Sequence, residues 1–269
     1  MPSGLPQNGH VRVAAVGDLH FGKNSQGTFQ SLFTQISQTA EVLVICGDFT
    51  DYGTPDEARG LVREVASFLR IPALAVLGNH DFHGGHVDEI TSILHDAGIT
   101  VLDGDSHEVK GVGFAGVKGF GGGFGPRALG PWGEDTFKRF VHEAVEEALK
   151  LEAALARLRT RSRVAVLHYA PIRETVDGEP LEIFPFLGSS RLEEPINRYE
   201  VSAVVHGHAH RGQPEGRTAT GVPVYNVSLP LMKALTPDHP FRILELPVTL
   251  ATADAADAAS ALAGATGRG

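Results

Sequence analysis

Cysteine is almost absent from this chain. Cys46 is the single one among 269 residues, which excludes any internal disulfide. It lies inside the apolar run Val42 to Cys46, and a thiol so placed is read as buried and inert, because a nucleophilic thiolate needs an exposed, electropositive setting. Positive charge is also short. The chain has 23 Lys and Arg against 32 Asp and Glu, a formal net charge of −9 with neutral His. A field of that sign repels a long polyanion, so a nucleic acid polymer is disfavoured as a partner. No apolar run approaches the length that spans a bilayer, and Met1 to His10 holds Pro, Gly and Gln but no hydrophobic leader segment. The expectation is a cytoplasmic protein without a membrane partner. Internal repeats of the usual periods and blocks of like charge are missing as well.

What is present is a chain long enough for one large α/β domain with a substantial core. Short apolar runs recur at Val11 to Val16, Val42 to Cys46, Ala73 to Leu77, Val164 to Leu167 and Ala203 to Val205. Each is too short for a buried helix and reads as a buried parallel strand. Between the second and third lies a helical stretch, Pro55 to Leu69, with Thr54 as N-cap, Pro55 in the first helical position and Glu57 completing a capping box. From Glu134 to Leu158 the apolar residues Phe137, Phe140, Ala144, Ala148, Leu151, Leu155 and Leu158 step by three or four, the period of one core-facing helix face. A second family of strands, Glu108 to Lys118, Arg217 to Thr220, Val222 to Val227 and Phe241 to Leu246, is bounded by Gly and Pro and looks partly antiparallel, so two sheets are implied. The domain is placed at residues 11–247, between a flexible N-terminal tail at 1–10 and an Ala-rich C-terminal tail at 248–269 to which no function is assigned.

Each of the five predicted parallel strands ends in polar residues able to bind a metal, and open α/β sheets place ligands at the carboxyl ends of strands. Gly17-Asp18-Leu19-His20 follows the first, Gly47-Asp48 the second, Gly78-Asn79-His80-Asp81 the third, His168 the fourth, and Gly207-His208-Ala209-His210 the fifth. Any one alone is weak, since Gly-Asp after a strand is usually a turn with an Asx bond. In this order, D-x-H, G-D, G-N-H-[DE], H and G-H-x-H resemble the signature of the calcineurin-like metallophosphoesterase superfamily, and residues 17 to 210 match it without a gap. The resemblance implies two packed mixed β-sheets flanked by helices, a four-layer αββα sandwich. It also implies a phosphoester hydrolase, a phosphodiesterase or a phosphatase, that uses a hydroxide on a binuclear centre for in-line attack on phosphorus.

Carboxylate, amide and imidazole donors without a thiolate suit Mn, Fe or Zn ions. Two divalent ions, two aspartates and a hydroxide leave about +1 of formal charge, enough to hold a phosphate inside an acidic protein. By the resemblance, Asp18, His20, Asp48 and His210 hold one ion and Asp48, Asn79, His168 and His208 the other, with Asp48 bridging. Spacing alone does not choose between His206/His208 and His208/His210. The family places a Gly directly before the first ligand, which selects His208 and His210 and leaves His206 to pack or to orient a ligand. His80 is the motif histidine that the family does not use as a ligand; it is expected to face the scissile phosphate, with Asp81 orienting it.

His83 and His86 in the following loop read first as solvated histidines, with substrate contact as the alternative, and Arg211 and Arg173 just past ligands are within reach of a substrate anion although surface arginines are common. The Gly-rich segment Gly119 to Gly125 lacks the Lys and Ser/Thr of a P-loop, so it reads as a turn or a loop over the site. The stretch Gly47 to Pro55 looks most like bacterial phosphodiesterases of the cyclic-nucleotide type, and Tyr52 stands where protein phosphatases carry Arg. A small phosphoester is therefore the expected substrate. The competing readings are a non-catalytic scaffold, which typically loses ligands that this chain retains, and a DNA nuclease, which should show capping domains or basic patches.

Overall fold

A computed structural model of the chain describes residues 9–248. Of the two expected tails, residues 1–8 and 249–269 lie outside the described residues, while His10 opens the first strand. Strands β1 (His10–Val16), β2 (Val42–Cys46), β3 (Ala73–Val76) and β4 (Ile99–Val101) run parallel in one sheet. A second sheet joins β5 (Asp105–Val109), β6 (Val112–Val117), β7 (Ser162–Leu167), β8 (Ala203–His206), β9 (Glu215–Arg217) and β10 (Pro223–Asn226). Its order is β5-β6-β7-β8-β10-β9, parallel inside and antiparallel at both edges. The last strand, β11 (Arg242–Pro247), returns to the first sheet and pairs antiparallel with β1, Val11 opposite Leu246.

The strand families expected from the sequence are thus divided differently in space. The five parallel runs do not share a sheet: β7 and β8 lie in the second, and the run from Phe241 to Leu246 closes the first. Glu108 to Lys118 is not one strand either. It spans parts of β5 and β6, which turn through Lys110 and Gly111 at φ of 55° and 81°. Positive φ at both central residues matches the right-handed twist of a two-residue hairpin.

Side-chain alternation explains the layers. Val11, Val13 and Ala15 of β1 meet Phe114, Val164 and Val166 of the second sheet in a core between the sheets. Ala14 and Val16 face the other way. They pack under helices α1 (Gln30–Thr39) and α2 (Pro55–Phe68), and beyond the short α3 (Asn79–His83) under α4 (Val87–Asp96). Helix α5 (Asp135–Arg157) covers the second sheet with Leu151, Ala154 and Leu155; α6 (Phe184–Leu187) follows, and α7 (Glu193–Arg198) adds Ile196 to the same core. A last helix, α8 (Leu229–Leu235), follows β10. The result is the expected αββα sandwich.

Helix α2 carries the predicted cap, with Thr54 accepting from the Glu57 N–H and Glu57 reaching back to the Thr54 N–H. Helix α1 has no side-chain cap and is held by burying Leu32, Phe33 and Ile36, each worth roughly 2 kcal/mol when fully buried. In α5 the expected apolar stripe is buried at Ala144, Leu151, Leu155 and Leu158, but Phe137 is 53% exposed. A helix of 23 residues is about 34 Å long, whereas the six-residue strands beneath it are about 20 Å, so its first turn overhangs the sheet. Among the described residues no helix is long and apolar enough to cross a membrane.

Candidate metal centre

The parallel strands β1, β2, β3, β7 and β8 end at one rim, where their following turns converge. Backbone geometry there is unusual. Asp18, His20, Asp48 and His208 have φ of 58°, 45°, 53° and 70°, a region that non-glycine residues seldom adopt, and only Lys110 joins them among the described residues. The carboxylates lie against bare backbone. A Cβ at Gly78 would stand 2.1 Å from Asp48 Oδ1, and one at Gly207 would stand 2.3 Å from Asp18 Oδ2. That close approach is the physical reason for glycine before Asn79 and before His208.

Asp18 accepts the His208 N–H with both oxygens at 2.9 Å, and its Oδ1 is 3.0 Å from His210 Nε2. His20 Nε2 lies 3.4 Å from His210 Nε2 and 3.6 Å from Asp48 Oδ2. The same Asp48 oxygen is 3.5 Å from His168 Nε2, which is 2.9 Å from Asn79 Oδ1. His168 Nδ1 donates to the Cys46 carbonyl at 2.8 Å, and since a carbonyl only accepts, Nε2 is the nitrogen with a free lone pair. His208 Nε2 donates to the Phe186 carbonyl at 3.1 Å, which leaves its Nδ1. Three donor groups result: Asp18, His20 and His210; His20, Asp48 and His80; and Asp48, His168 and His208, with the donor atoms of each group all within 4.8 Å of one another.

These residues fit divalent ions. Imidazole lone pairs and carboxylate oxygens converge in a way that repels without a cation among them, and the donor set is free of thiolate. His20 Nδ1 is the one buried side-chain nitrogen or oxygen among the described residues without a hydrogen-bond partner. Burial holds the His20 imidazole down to about 4 and His208 to about 3, and it also lowers His168, so these rings are neutral, the form that binds metal. Burial, with the charges of Asp18 and Asp81 adding to it, pushes the Asp48 carboxyl up to about 8. Burial pushes Asp18 upward too, but its hydrogen bond with His210 and the positive charge of that ring outweigh it and hold Asp18 below the usual range. His210 is correspondingly raised, burial being overcome by its bond to Asp18. A cation beside Asp48 supplies the compensation that burial withholds and reverses its shift.

The other predicted site residues divide. His80 donates through Nδ1 to the Asp51 carbonyl at 2.6 Å, which leaves Nε2 free, and its backbone N–H binds Asp48 Oδ1 at 2.9 Å. Asp81 does not hydrogen-bond the His80 ring. Fully buried, its carboxylate accepts from the backbone of Gly78, Phe49 and Thr50 and from the Thr50 hydroxyl, tying the turn after β2 to the turn after β3. His206 is fully buried with both nitrogens occupied, Nδ1 by the Gly207 carbonyl and Nε2 by Thr175 Oγ1, each at 2.8 Å. His83 is exposed at the end of α3 with its ring 6.4 Å from Tyr52, and His86 is exposed before α4. Arg211 is exposed, and its N–H is held by Glu179. Asp51, which orients His80 and places Oδ1 3.7 Å from His20 Nδ1, was not read as a site residue from the sequence. Its position three residues past Asp48 was the available signal. Tyr169, with its ring 4.5 Å from that of His208, was missed for want of any pattern.

Solved structures share this architecture. Phosphopantetheinyl hydrolase from Mycobacterium tuberculosis superposes with a TM-score of 0.64 at 18% identity, over 86% of this chain and 95% of that one. TT1561 of Thermus thermophilus superposes with a TM-score of 0.53 at 13% identity, over 89% of this chain and 99% of that one. At such identity these likenesses speak for the fold. No curated protein matches the chain by sequence. The sequence model of one family does match, over residues 11–212, a span that contains every strand-end turn of the rim. The chain belongs to the calcineurin-like phosphoesterases and is an enzyme of their class, a hydrolase of phosphoester bonds.

Proposed function

We propose that the chain hydrolyses small phosphoesters at a centre of two divalent ions, with Asp18, His20, Asp48 and His210 around one and Asp48, Asn79, His168 and His208 around the other. The observation that supports this most directly is the position of Asp48 Oδ2. It lies 3.6 Å from His20 of the first sheet and 3.5 Å from His168 of the second, so Asp48 would be within reach of both ions. When bound, such ions polarise phosphoryl oxygens and lower the pKa of a coordinated water. The residues of the chain do the rest. His80 turns Nε2 outward because Asp51 holds Nδ1; protonated, it delivers that proton to the leaving oxygen of the ester. Asp81 acts at a distance, by fixing the two turns that carry Asp48 and His80. A phosphorylated protein is not favoured as a substrate, since Tyr52 occupies the position where protein phosphatases carry Arg.

The test is hydrolysis of bis-nitrophenyl phosphate, nitrophenyl phosphate and cyclic nucleotides by protein loaded with Mn²⁺, Fe²⁺ or Zn²⁺, with elemental analysis alongside. About two ions per chain and turnover abolished by chelation are expected. Folded protein that holds one ion or none, or that turns over none of these esters, sinks the reading. His80→Ala should keep its ions yet lose about 10²–10⁴-fold more rate on alkyl esters than on nitrophenyl esters, because an alkoxide needs the proton and a nitrophenolate does not. Equal losses on both would assign His80 to charge stabilisation instead.

A further inference from the structure

Two arginines from different turns line a cavity beside this centre. It has a volume of about 340 Å³ and is lined by Gly123, Phe124, Arg127, Arg173, Leu181, Phe184 and Pro185, with no carboxylate among them. The turn with Gly123 and Arg127 follows β6 and the turn with Arg173 follows β7, so both leave the sheet at the rim that carries the ligands. The third wall, Leu181 to Pro185, is one residue short of Phe186, whose carbonyl holds His208. Backbone bonds fasten these walls together: Gly122 N–H to the Pro185 carbonyl at 2.6 Å, Gly123 N–H to the Gly188 carbonyl at 2.9 Å, and Gly125 N–H to Ser190 Oγ at 3.1 Å. The Gly-rich segment is therefore a wall of this cavity and not a turn without further use.

Charge decides what the cavity can hold. Arg127 is exposed, and among the described residues its guanidinium has no hydrogen-bond, ion-pair or ring partner, in a chain of net charge −9. Arg173 lies 5.5 Å over the Phe184 ring, with Nε at 3.5 Å from Asp177 Oδ1, and its two terminal nitrogens have no partner among the described residues. Guanidinium forks bind carboxylate and phosphate oxygens two at a time, and a stacked ring limits the freedom lost on binding. The cavity between α1 and α2 offers no such bias, because Lys23 and Arg63 there face Asp56, Glu57 and Glu64.

We infer that Arg127 and Arg173 form a subsite for a second anionic group, so that the preferred substrate is an elongated phosphoester carrying a further phosphate or carboxylate. Phe124, Leu181 and Phe184 accommodate the apolar or planar spacer between the two anions. The inference rests on the proposed phosphoester site, and equilibrium binding separates the two. Mn²⁺-loaded protein is titrated calorimetrically with alkylphosphonates of graded length that end in a methyl, a carboxylate or a phosphonate group. The doubly anionic probes should bind at least about tenfold tighter than the methyl-ended one, the gain of one charge-assisted contact. Arg127→Ala and Arg173→Ala should bring that ratio close to one. Arg161→Ala, which removes the same charge at the far end of β7, should preserve it. A ratio near one in the wild type, or a ratio that survives in the Arg127/Arg173 double variant, overturns the subsite. If turnover of every ester fails while the ratio persists, the hydrolytic reading falls and the subsite stands. If esters are hydrolysed at a ratio of one, the reverse holds.

Discussion

Single atoms of Asp48 and of two histidines carry much of the argument for a two-ion centre. Asp48 Oδ2 sits between His20 and His168, and its Oδ1 is spent on the His80 N–H. Replacing Asp48 by Asn removes the shared charge while keeping the volume. Both ions should be lost together, read as a fall in bound metal from about two per chain to well below one. Two ions retained with full turnover would place the bridge elsewhere. His206 and His210 make a sharper contrast, since sequence spacing alone treats them alike. His210 offers its ring to Asp18 and His20 at the half-open rim, whereas His206 is sealed between Gly207 and Thr175. His210→Ala should therefore abolish metal-dependent turnover. His206→Ala should weaken metal affinity by roughly 10–100-fold, the usual cost of disturbing a residue that positions ligands. Metal titrations of both variants decide it, and the opposite ranking would exchange their roles.

At the scale of elements, the turns after β2 and β3 behave as one unit because Asp81 ties them. Its carboxylate accepts three backbone N–H groups and one hydroxyl, so Asp81→Asn would set an amide NH₂ against donors and leave at least one of them unsatisfied. A loss of roughly 2–3 kcal/mol in unfolding free energy is expected, measured by the denaturant midpoint, together with weaker metal binding. Unchanged stability with a lower kcat alone would mean that Asp81 acts on the His80 ring after all. The same scale shows where pattern reading stops. The capping box at Thr54 and Glu57 was visible because its partners are three residues apart. Helix α1 was not, because it has no side-chain cap and owes its place to Phe33 and Ile36 packing on a distant sheet. Phe137 follows the helical period yet lies beyond the strands, since the period reports a face and not how far the sheet beneath extends.

For the whole molecule, acid sensitivity follows from burying so many histidines. In the ion-free protein burial holds His20 and His206 down to about 4 and His208 to about 3, and it lowers His168 as well. In the unfolded chain each titrates near about 6.5. Between pH of about 6.5 and 4 the unfolded chain thus takes up protons that the folded chain refuses, so stability is present above that window and lost as pH falls through it. Asp48, raised to about 8, and Asp81, also raised by burial, oppose with at most two protons against four imidazoles. Above about 6.5 the imidazoles are spent, and Asp48 and the raised His210 lose stability as pH climbs. Ion-free protein should be most stable near pH of about 6.5, and Mn²⁺ at about 100 times its Kd should add roughly 2.7 kcal/mol per ion. Thermal unfolding across pH, with and without Mn²⁺, checks both; a flat ion-free profile from pH of about 4 to 8 would contradict the assignment of these groups.

What the sequence determined by itself was the inventory: buried strands by their apolar runs, polar residues at their ends, and an ordered motif set specific enough to name a family. Those features are local, and a strand end or a Gly-Asp turn can be read within a few residues. Which sheet each strand joins was decided only in three dimensions, because β11 pairs with β1 across more than two hundred residues of chain. The same holds for the roles of Asp51 and Asp81. Both are carboxylates beside a motif, and only the folded turns reveal that one orients His80 through its carbonyl while the other knits two loops. Charge at the rim is likewise a tertiary property. A chain of net charge −9 brings Arg127 and Arg173 to one cavity because the turns after two neighbouring parallel strands must leave the sheet side by side.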